Sequence, residues 1–116
     1  MSRDPLNLLQ GTVDLLVLKA LTWGPQHGYA VSRWIRKRSE GALGLEEAGL
    51  YQALHRLDRK GWVSATWGLS ENNRRARFYE LTAEGRQQLR TESGTWRQYA
   101  AAVFRILDAR QAEGSS

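Results

Sequence analysis

The chain of 116 residues contains no cysteine, only two prolines and a single methionine. Without cysteine there is no disulfide framework, no thiolate zinc site and no cysteine nucleophile. No apolar run approaches the roughly 20 residues that cross a bilayer. A signal-peptide pattern is also missing, because Asp4 precedes the first apolar stretch and Asp14 and Lys19 interrupt it. We therefore expect one compact domain with a cytoplasmic location.

Positive charge is in excess, and it is concentrated in the middle of the chain. The formal net charge is +5. Between residues 33 and 77 basic residues outnumber acidic ones ten to five, whereas the rest of the chain is balanced. A local surplus of this kind predicts an anionic partner such as nucleic acid.

Hydrophobic periodicity predicts three helices, a β-hairpin and a long final helix. The apolar stripe of the first helix is wide enough to be buried on two sides. Gly61 suits the end of the third helix, and Thr82 suits the N-cap of the last one. The expected bounds are 8–21, 27–38 and 46–60 for the first three helices, 62–67 and 77–81 for the strands, and 83 to about 110 for the last helix.

This order of elements is mostly α with a small β-hairpin, an α+β arrangement typical of a winged helix-turn-helix. An isolated hairpin is marginally stable, so it must pack against the third helix. We expect a winged helix-turn-helix DNA-binding domain over residues 1–82, a C-terminal dimerisation helix over 83–110 and a disordered tail over 111–116.

The third helix has an apolar face and an opposite polar face that suits DNA. On a helical wheel Leu50, Leu54 and Leu57 form the core face. The opposite side carries residue types that hydrogen-bond base edges, such as glutamine to adenine and arginine to guanine. Any surface helix presents a polar outer face, so this face alone leaves DNA contact open. The candidate residues are Tyr51, Gln52, His55, Arg56, Arg59 and Lys60.

The hairpin loop adds a second basic element. Residues 72–77 read Asn-Asn-Arg-Arg-Ala-Arg, which suits phosphates or a minor groove. A solvated turn has a similar composition, but a winged helix aligns this loop with the third helix, which favours nucleic-acid binding. The candidates here are Asn73, Arg74, Arg75 and Arg77, together with Arg33 and Lys37 on the outer face of the second helix.

The last helix carries an apolar seam that one protomer is too small to cover. Leu89, Trp96 and Val103 stand seven residues apart, which is coiled-coil spacing. We expect a two-fold homodimer, whose symmetry would match a pseudo-palindromic operator in double-stranded DNA. The expected interface consists of Leu89, Trp96, Tyr99, Ala100, Val103 and Leu107, with Val13 and Leu16 of the first helix as their complement.

Four sequence strings stand out by their order and spacing. They are Leu9-Gln10-Gly11-Thr12, His27-Gly28-Tyr29, the eight residues from Leu50 to Leu57, and the ten residues from Asn73 to Thr82. Together they resemble the PadR family of transcriptional regulators over about residues 6–107. The resemblance implies a winged helix-turn-helix repressor that dimerises through its C-terminal helix and releases operator DNA when a small effector binds.

The resemblance also implies roles for three aromatic residues. Tyr51 matches the family's DNA-facing tyrosine, with packing under the wing as the alternative. Trp96 and Tyr99 lie on the last helix, whose aromatic residues in some PadR-like regulators help to sandwich a flat aromatic effector at the dimer interface; simple filling of that interface is the alternative. Two residues depart from the family's usual Ser-Leu-Tyr-Pro string. Gly49 lacks the serine hydroxyl, and Gln52 replaces proline with a side chain that could reach a base.

Catalysis is the main competing class of function. His27, His55, Glu46 and Glu47 stand at no spacing that assembles a catalytic group, and there is no His-x-x-x-His pair, phosphate-binding glycine loop or nucleophile elbow. We therefore expect no enzymatic activity, no cofactor, no metal and no membrane partner. The second alternative is a winged helix that contacts protein or RNA without binding an operator, which the salt dependence of binding would distinguish.

Overall fold

The computed structural model describes residues 10–111, within which lie four helices and a three-stranded sheet. The order and type of these elements confirm the α+β winged helix-turn-helix expected from the sequence. No helix within this part of the chain is long and apolar enough to cross a membrane. The elements are α1 (Gln10–Ala20), β1 (Gln26–His27), α2 (Gly28–Arg38), α3 (Glu47–Arg59), β2 (Val63–Leu69), β3 (Arg75–Leu81) and α4 (Ala83–Leu107).

One apolar core lies between the first three helices and the base of the hairpin. Leu18 of α1, Leu21 directly after that helix, Val31 of α2, and Leu54 and Leu57 of α3 are almost completely buried. α1 packs against α2, α3 and α4, which explains why its apolar stripe is wider than one face. The expectation that this helix is buried on more than one side is confirmed.

The same burial overturns part of the expected dimer interface. Val13 is only 7% exposed and belongs to the core of its own protomer. Leu16 and Leu89 also pack against that core and are partly buried there. Placing Val13 in the interface was wrong, because α1 uses its stripe to join α3 and α4 within one chain.

The sheet contains one strand more than expected. β3 lies in the middle and pairs antiparallel with β2 and with the two-residue β1. β1 was not predicted, because a strand of only two residues, Gln26 and His27, is too short to show an alternation of polarity. β2 and β3 each reach two residues further toward the tip than expected, so the connecting loop is shorter, spanning 70–74.

The N-cap expected at Thr82 is confirmed. Its Oγ1 accepts a hydrogen bond from the Gly85 N–H at 3.0 Å and donates one to the Gly61 carbonyl at 2.7 Å. The start of α4 is therefore tied to the end of α3. α4 ends at Leu107, three residues before the expected end. Residues 8 and 9 of the expected first helix, and the expected tail apart from Gln111, lie outside the described residues.

Candidate nucleic-acid interface

The His27-Gly28-Tyr29 string forms the start of α2 and makes room for a tyrosine of α3. His27 Nδ1 accepts a hydrogen bond from the Ala30 N–H at 3.3 Å, which caps the helix. A Cβ atom at Gly28 would lie 2.9 Å from the ring of Tyr51. Glycine at this position therefore lets the Tyr51 ring lie directly against α2.

The Tyr51 ring packs against Gly28 of α2, but part of the side chain remains exposed to solvent. The side chain is 43% exposed, although its ring covers Gly28. Burial raises the pKa of the Tyr51 hydroxyl above 10.0, and the negative charge of Glu47 and the neighbouring Tyr79 hydroxyl raise it further. The hydroxyl is thus a neutral hydrogen-bond donor near neutral pH, which suits an acceptor such as a phosphate oxygen.

The outer face of α3 and one residue of the hairpin border a single open groove. Gln52, His55 and Arg59 are exposed along the helix, and Tyr79 of β3 closes the opposite side. The groove has a volume of about 600 Å³ and is lined by Ala48, Tyr51, Gln52, His55, Arg56, Arg59 and Tyr79. An amide, an imidazole and a guanidinium group, all exposed in one groove, can donate and accept hydrogen bonds at base edges.

Arg56 differs from the other candidates on α3. Its Nη2 donates a hydrogen bond to Asp14 Oδ1 of α1 at 2.7 Å, and the two side chains are only 21% and 11% exposed. The Arg56 Nε atom is buried without a hydrogen-bond partner. The helical wheel placed Arg56 beside the outer face, but its guanidinium group turns back toward α1. The sequence placed Arg56 among the residues that contact DNA. In the structure its guanidinium group instead links α3 to α1 through Asp14.

Two arginines of the hairpin lie on the strand face that reaches the groove at Tyr79. Side chains alternate along β3, so Arg75 and Arg77 lie on the same face as Tyr79, and both are exposed. Arg74 is exposed in the loop, where Asn73 has a positive φ of 60°. Asparagine tolerates this conformation better than most residues, and it turns the chain at the tip.

The basic residues of α2 are not part of the groove. Arg33 and Lys37 are exposed, but they line a second cavity of about 250 Å³ together with His27, Trp34 and the loop residue Glu71. The Arg33 guanidinium group lies 5.4 Å from the centre of the Tyr29 ring. Of the sequence-predicted candidates, the structure brings those of α3 together at the groove and leaves those of α2 apart. Arg75 and Arg77 do not line the groove but lie on the strand face of Tyr79, which does.

Lys60 also makes a contact of its own. It follows α3 as the C-cap residue, and its Nζ lies 4.6 Å from the centre of the Trp62 ring. The ammonium group is exposed at the end of the helix, outside the residues that line the groove.

The second half of α4 carries apolar side chains that are exposed in the protomer. Four residues that the sequence placed in the dimer interface are exposed: Trp96, Tyr99, Val103 and Leu107. Phe104 and Ile106, which were not predicted, are exposed as well. Ala100 is half-buried.

Two residues of the site were missed by sequence reasoning. Tyr79 could have been found from the strand alternation, since it is two residues from Arg77 on the same face. Asp14 gave no such signal, because a carboxylate within an apolar helix stripe does not reveal that its partner is 42 residues away.

Comparisons with known proteins give one family. The family model described as Transcriptional regulator PadR-like family matches residues 17–91. A solved transcriptional regulator from Clostridium thermocellum is 26% identical with a TM-score of 0.77, and the match covers 85% of this chain and 93% of that one. A solved PadR family transcription regulator from Clostridium difficile is 26% identical with a TM-score of 0.72, covering 82% and 97%. An uncharacterised protein of Lysinibacillus sphaericus is 26% identical over 102 residues, which are 88% of this chain and 90% of that protein.

Proposed function

Because the chain belongs to the PadR-like family of transcriptional regulators, we propose that it binds a pseudo-palindromic DNA operator as a homodimer and represses transcription there. One observation carries this proposal: the exposed polar face of α3 and the arginine-bearing face of β3 border the same groove. An α-helix fits the major groove of B-DNA, and a basic hairpin beside it fits the flanking backbone or minor groove.

The residues of the proposed interface divide into two roles by their chemistry. Gln52, His55 and Arg59 offer the groups that distinguish base edges. Tyr51, Lys60 and the hairpin arginines offer donors and charges suited to the phosphate backbone or the minor groove, where they contact no major-groove base edge. Asn73 lies at the hairpin tip with Arg74 and supports the loop. Arg33 and Lys37 of α2 are expected to contribute only long-range attraction, since they line a separate cavity.

The dimer is proposed from the exposed apolar half of α4. A second copy would cover Trp96, Tyr99, Val103 and the apolar residues that follow, whereas Leu89 already packs within the protomer. Residues up to 82 then act as the DNA-binding part and residues 83–110 as the dimerisation helix. Large exposed apolar patches of this kind mark interaction sites.

Release by a small, flat aromatic effector is proposed at the same helix. Trp96 and Tyr99 are both exposed in the protomer and are therefore available at a dimer interface, where two copies of an indole could enclose a ring. Gel shifts with a duplex taken from the DNA upstream of the gene, repeated with aromatic compounds, would detect release. If the protein stays bound to DNA in the presence of every compound, the proposed release by an aromatic effector is wrong, although DNA binding itself stands.

Two substitutions test the proposed division of roles. Arg59→Ala should reduce the preference for the operator over scrambled DNA, because one base contact is worth about 1–3 kcal/mol. The scrambled duplex keeps the flanking sequence of the operator, so Arg75→Ala should weaken binding to both duplexes alike. Quantitative gel shifts at one salt concentration measure both ratios. If both variants bind the two duplexes as the wild type does, neither face contacts DNA and the proposal fails.

A further inference from the structure

Trp67 lies on the exposed half of β2 beside two arginines of β3, and the proposed function gives it no role. Its indole ring is 56% exposed, and Leu69 on the same face of the strand is 65% exposed. The Cζ atoms of Arg75 and Arg77 lie 4.4 Å and 5.5 Å from the centre of the ring. Both distances are within the range of roughly 6 Å in which a cation is attracted to an aromatic face.

The two guanidinium groups carry like charges, and no carboxylate of the described residues forms an ion pair with either of them. Within residues 10–111 the ion pair found is that of Asp14 and Arg56, so neither Arg75 nor Arg77 has a carboxylate partner there. Holding two positive charges at one ring costs repulsion, and an anion in front of them removes that cost. The arrangement therefore favours an anionic partner at the hairpin.

The position of the cluster indicates which part of a duplex it would meet. Trp67 is paired with Arg77, and Leu69 with Arg75, so all four side chains share the face that Tyr79 occupies at the groove. Tyr79 and Arg75 are four residue steps apart along the strand, a distance of about 13 Å. The major groove is about 12 Å wide. With α3 in a major groove, a span of this length is enough to bring Arg75 to the flanking backbone or to the minor groove beyond it.

We propose that Trp67 is a positioning residue that holds Arg75 and Arg77 as a pre-ordered pair, and that this pair selects a narrow, A·T-rich minor groove beside the operator. The inference rests on the proposed function and assigns the hairpin a part in specificity. It recognises groove width and negative potential rather than base edges.

The physical reason is that flexible arginines lose side-chain freedom when they enter a narrow groove. Stacking on Trp67 restricts both side chains before DNA arrives, so less freedom is lost on binding. A·T-rich tracts have a narrow minor groove with enhanced negative potential, which attracts arginine. Leu69 adds an apolar side chain that can lie against the sugars lining the groove wall.

The test uses the full chain and a duplex that the wild type itself enriches from a randomised pool. The sequence flanking the enriched core is replaced either by A·T tracts or by G·C-rich DNA. We expect the wild type to prefer the A·T flanks by roughly tenfold. Trp67→Leu should lose roughly tenfold in affinity on the A·T duplex and most of the flank preference. Its salt dependence should not change, because both arginine charges remain.

Further variants separate positioning from a structural role. Trp67→Phe keeps an aromatic face and should recover most of the flank preference, whereas Arg75→Lys keeps the charge but not the planar stacking group and should lose it. Trp23→Leu is the matched control, since Trp23 is also exposed and has the Lys19 ammonium group 5.0 Å from its ring centre. It should leave DNA binding unchanged. Thermal unfolding is measured for all variants.

The outcomes are distinct. If Trp67→Leu and Arg75→Lys both keep the wild-type flank preference, the inference is overturned, even where the affinity for both duplexes falls. If the wild type shows no flank preference, the arginines meet phosphates and the minor-groove assignment is wrong. If the wild type enriches no duplex at all, the proposed function fails and the inference fails with it.

Discussion

A single ion pair between Asp14 and Arg56 joins the helix at the centre of the core to the helix that borders the groove. The bond length is 2.7 Å and both side chains are largely covered. A partly buried pair is costly to break from one side, because the remaining charge loses its partner. Together with the core packing of Leu54 and Leu57, this contact holds α3, the helix that carries Gln52 and Arg59, against α1.

The role of Arg56 is testable by a double-mutant cycle. Asp14→Asn and Arg56→Met should each lower the free energy of unfolding by about 1–2 kcal/mol, and the double variant should lose clearly less than the sum. Urea denaturation measures all three. An Arg56→Met protein of wild-type stability that had lost base preference would instead make Arg56 a reader of DNA.

Tyr51 supplies the one pH-dependent expectation. Its pKa is raised, chiefly by burial, so the folded state holds the hydroxyl proton more tightly than the unfolded state does. The resulting stabilisation is fully present below pH 10.0 and is lost as the pH rises through the folded-state pKa. The difference in ultraviolet absorbance between the wild type and Tyr51→Phe follows this ionisation. An ionisation midpoint at or below pH 10.0 in this difference would contradict a raised pKa for Tyr51.

Among the helices and strands, the long periodic elements were predictable and the short or coupled ones were not. The bounds of α3 and the N-cap of α4 at Thr82 follow from local rules: apolar spacing, end charges and a capping hydroxyl. The pairing of β1 with β3 depends on tertiary packing, which two residues of sequence cannot encode. Likewise, the residues of α3 that line the groove were predictable from the helical wheel. The burial of Val13 and the direction of the Arg56 side chain toward Asp14 were not, because they depend on which elements pack against each helix.

The junction between the hairpin and α4 depends on a close backbone contact. A Cβ atom at Gly85 would overlap the Trp62 carbonyl oxygen, and the same carbonyl accepts a hydrogen bond from the Thr82 N–H at 3.1 Å. Any side chain at Gly85 must therefore displace the start of α4 from the end of the sheet.

Two glycine substitutions in α4 should consequently have opposite effects. Gly85→Ala should destabilise the fold by roughly 3 kcal/mol, because backbone must shift to relieve the overlap. Gly94→Ala in the same helix meets nothing within 4 Å and should stabilise by up to about 1 kcal/mol through helix propensity. Thermal and urea unfolding compare them. Equal effects of the two variants would show that the contact at Trp62 is not tight.

The molecule as a whole is elongated, with principal extents of 64 × 33 × 21 Å. Its basic surplus lies in α2, α3 and the hairpin, whereas the exposed apolar side chains of α4 form a separate surface. The basic surface and the apolar surface are therefore separate. This separation suits a protein that dimerises through α4 and binds DNA through α3 and the hairpin.

The pairing surface can be tested without removing the helix. Val103→Glu should convert the dimer to a folded monomer at micromolar concentration, because a charge buried in an apolar interface costs several kcal/mol. Gln98→Glu adds the same charge at an exposed position of α4 and should leave the dimer intact. Light scattering gives the mass of each. A wild type that is already monomeric at that concentration would contradict the dimer.

The most direct measurement is the affinity of the wild type for a selected duplex and a scrambled one across a series of salt concentrations. We expect the logarithm of the affinity to fall linearly with the logarithm of salt, by about 0.9 for each phosphate neutralised. At physiological salt the selected duplex should bind at least roughly 1,000-fold more tightly. Equal affinity for the two duplexes at every salt concentration would contradict operator recognition by the α3 groove.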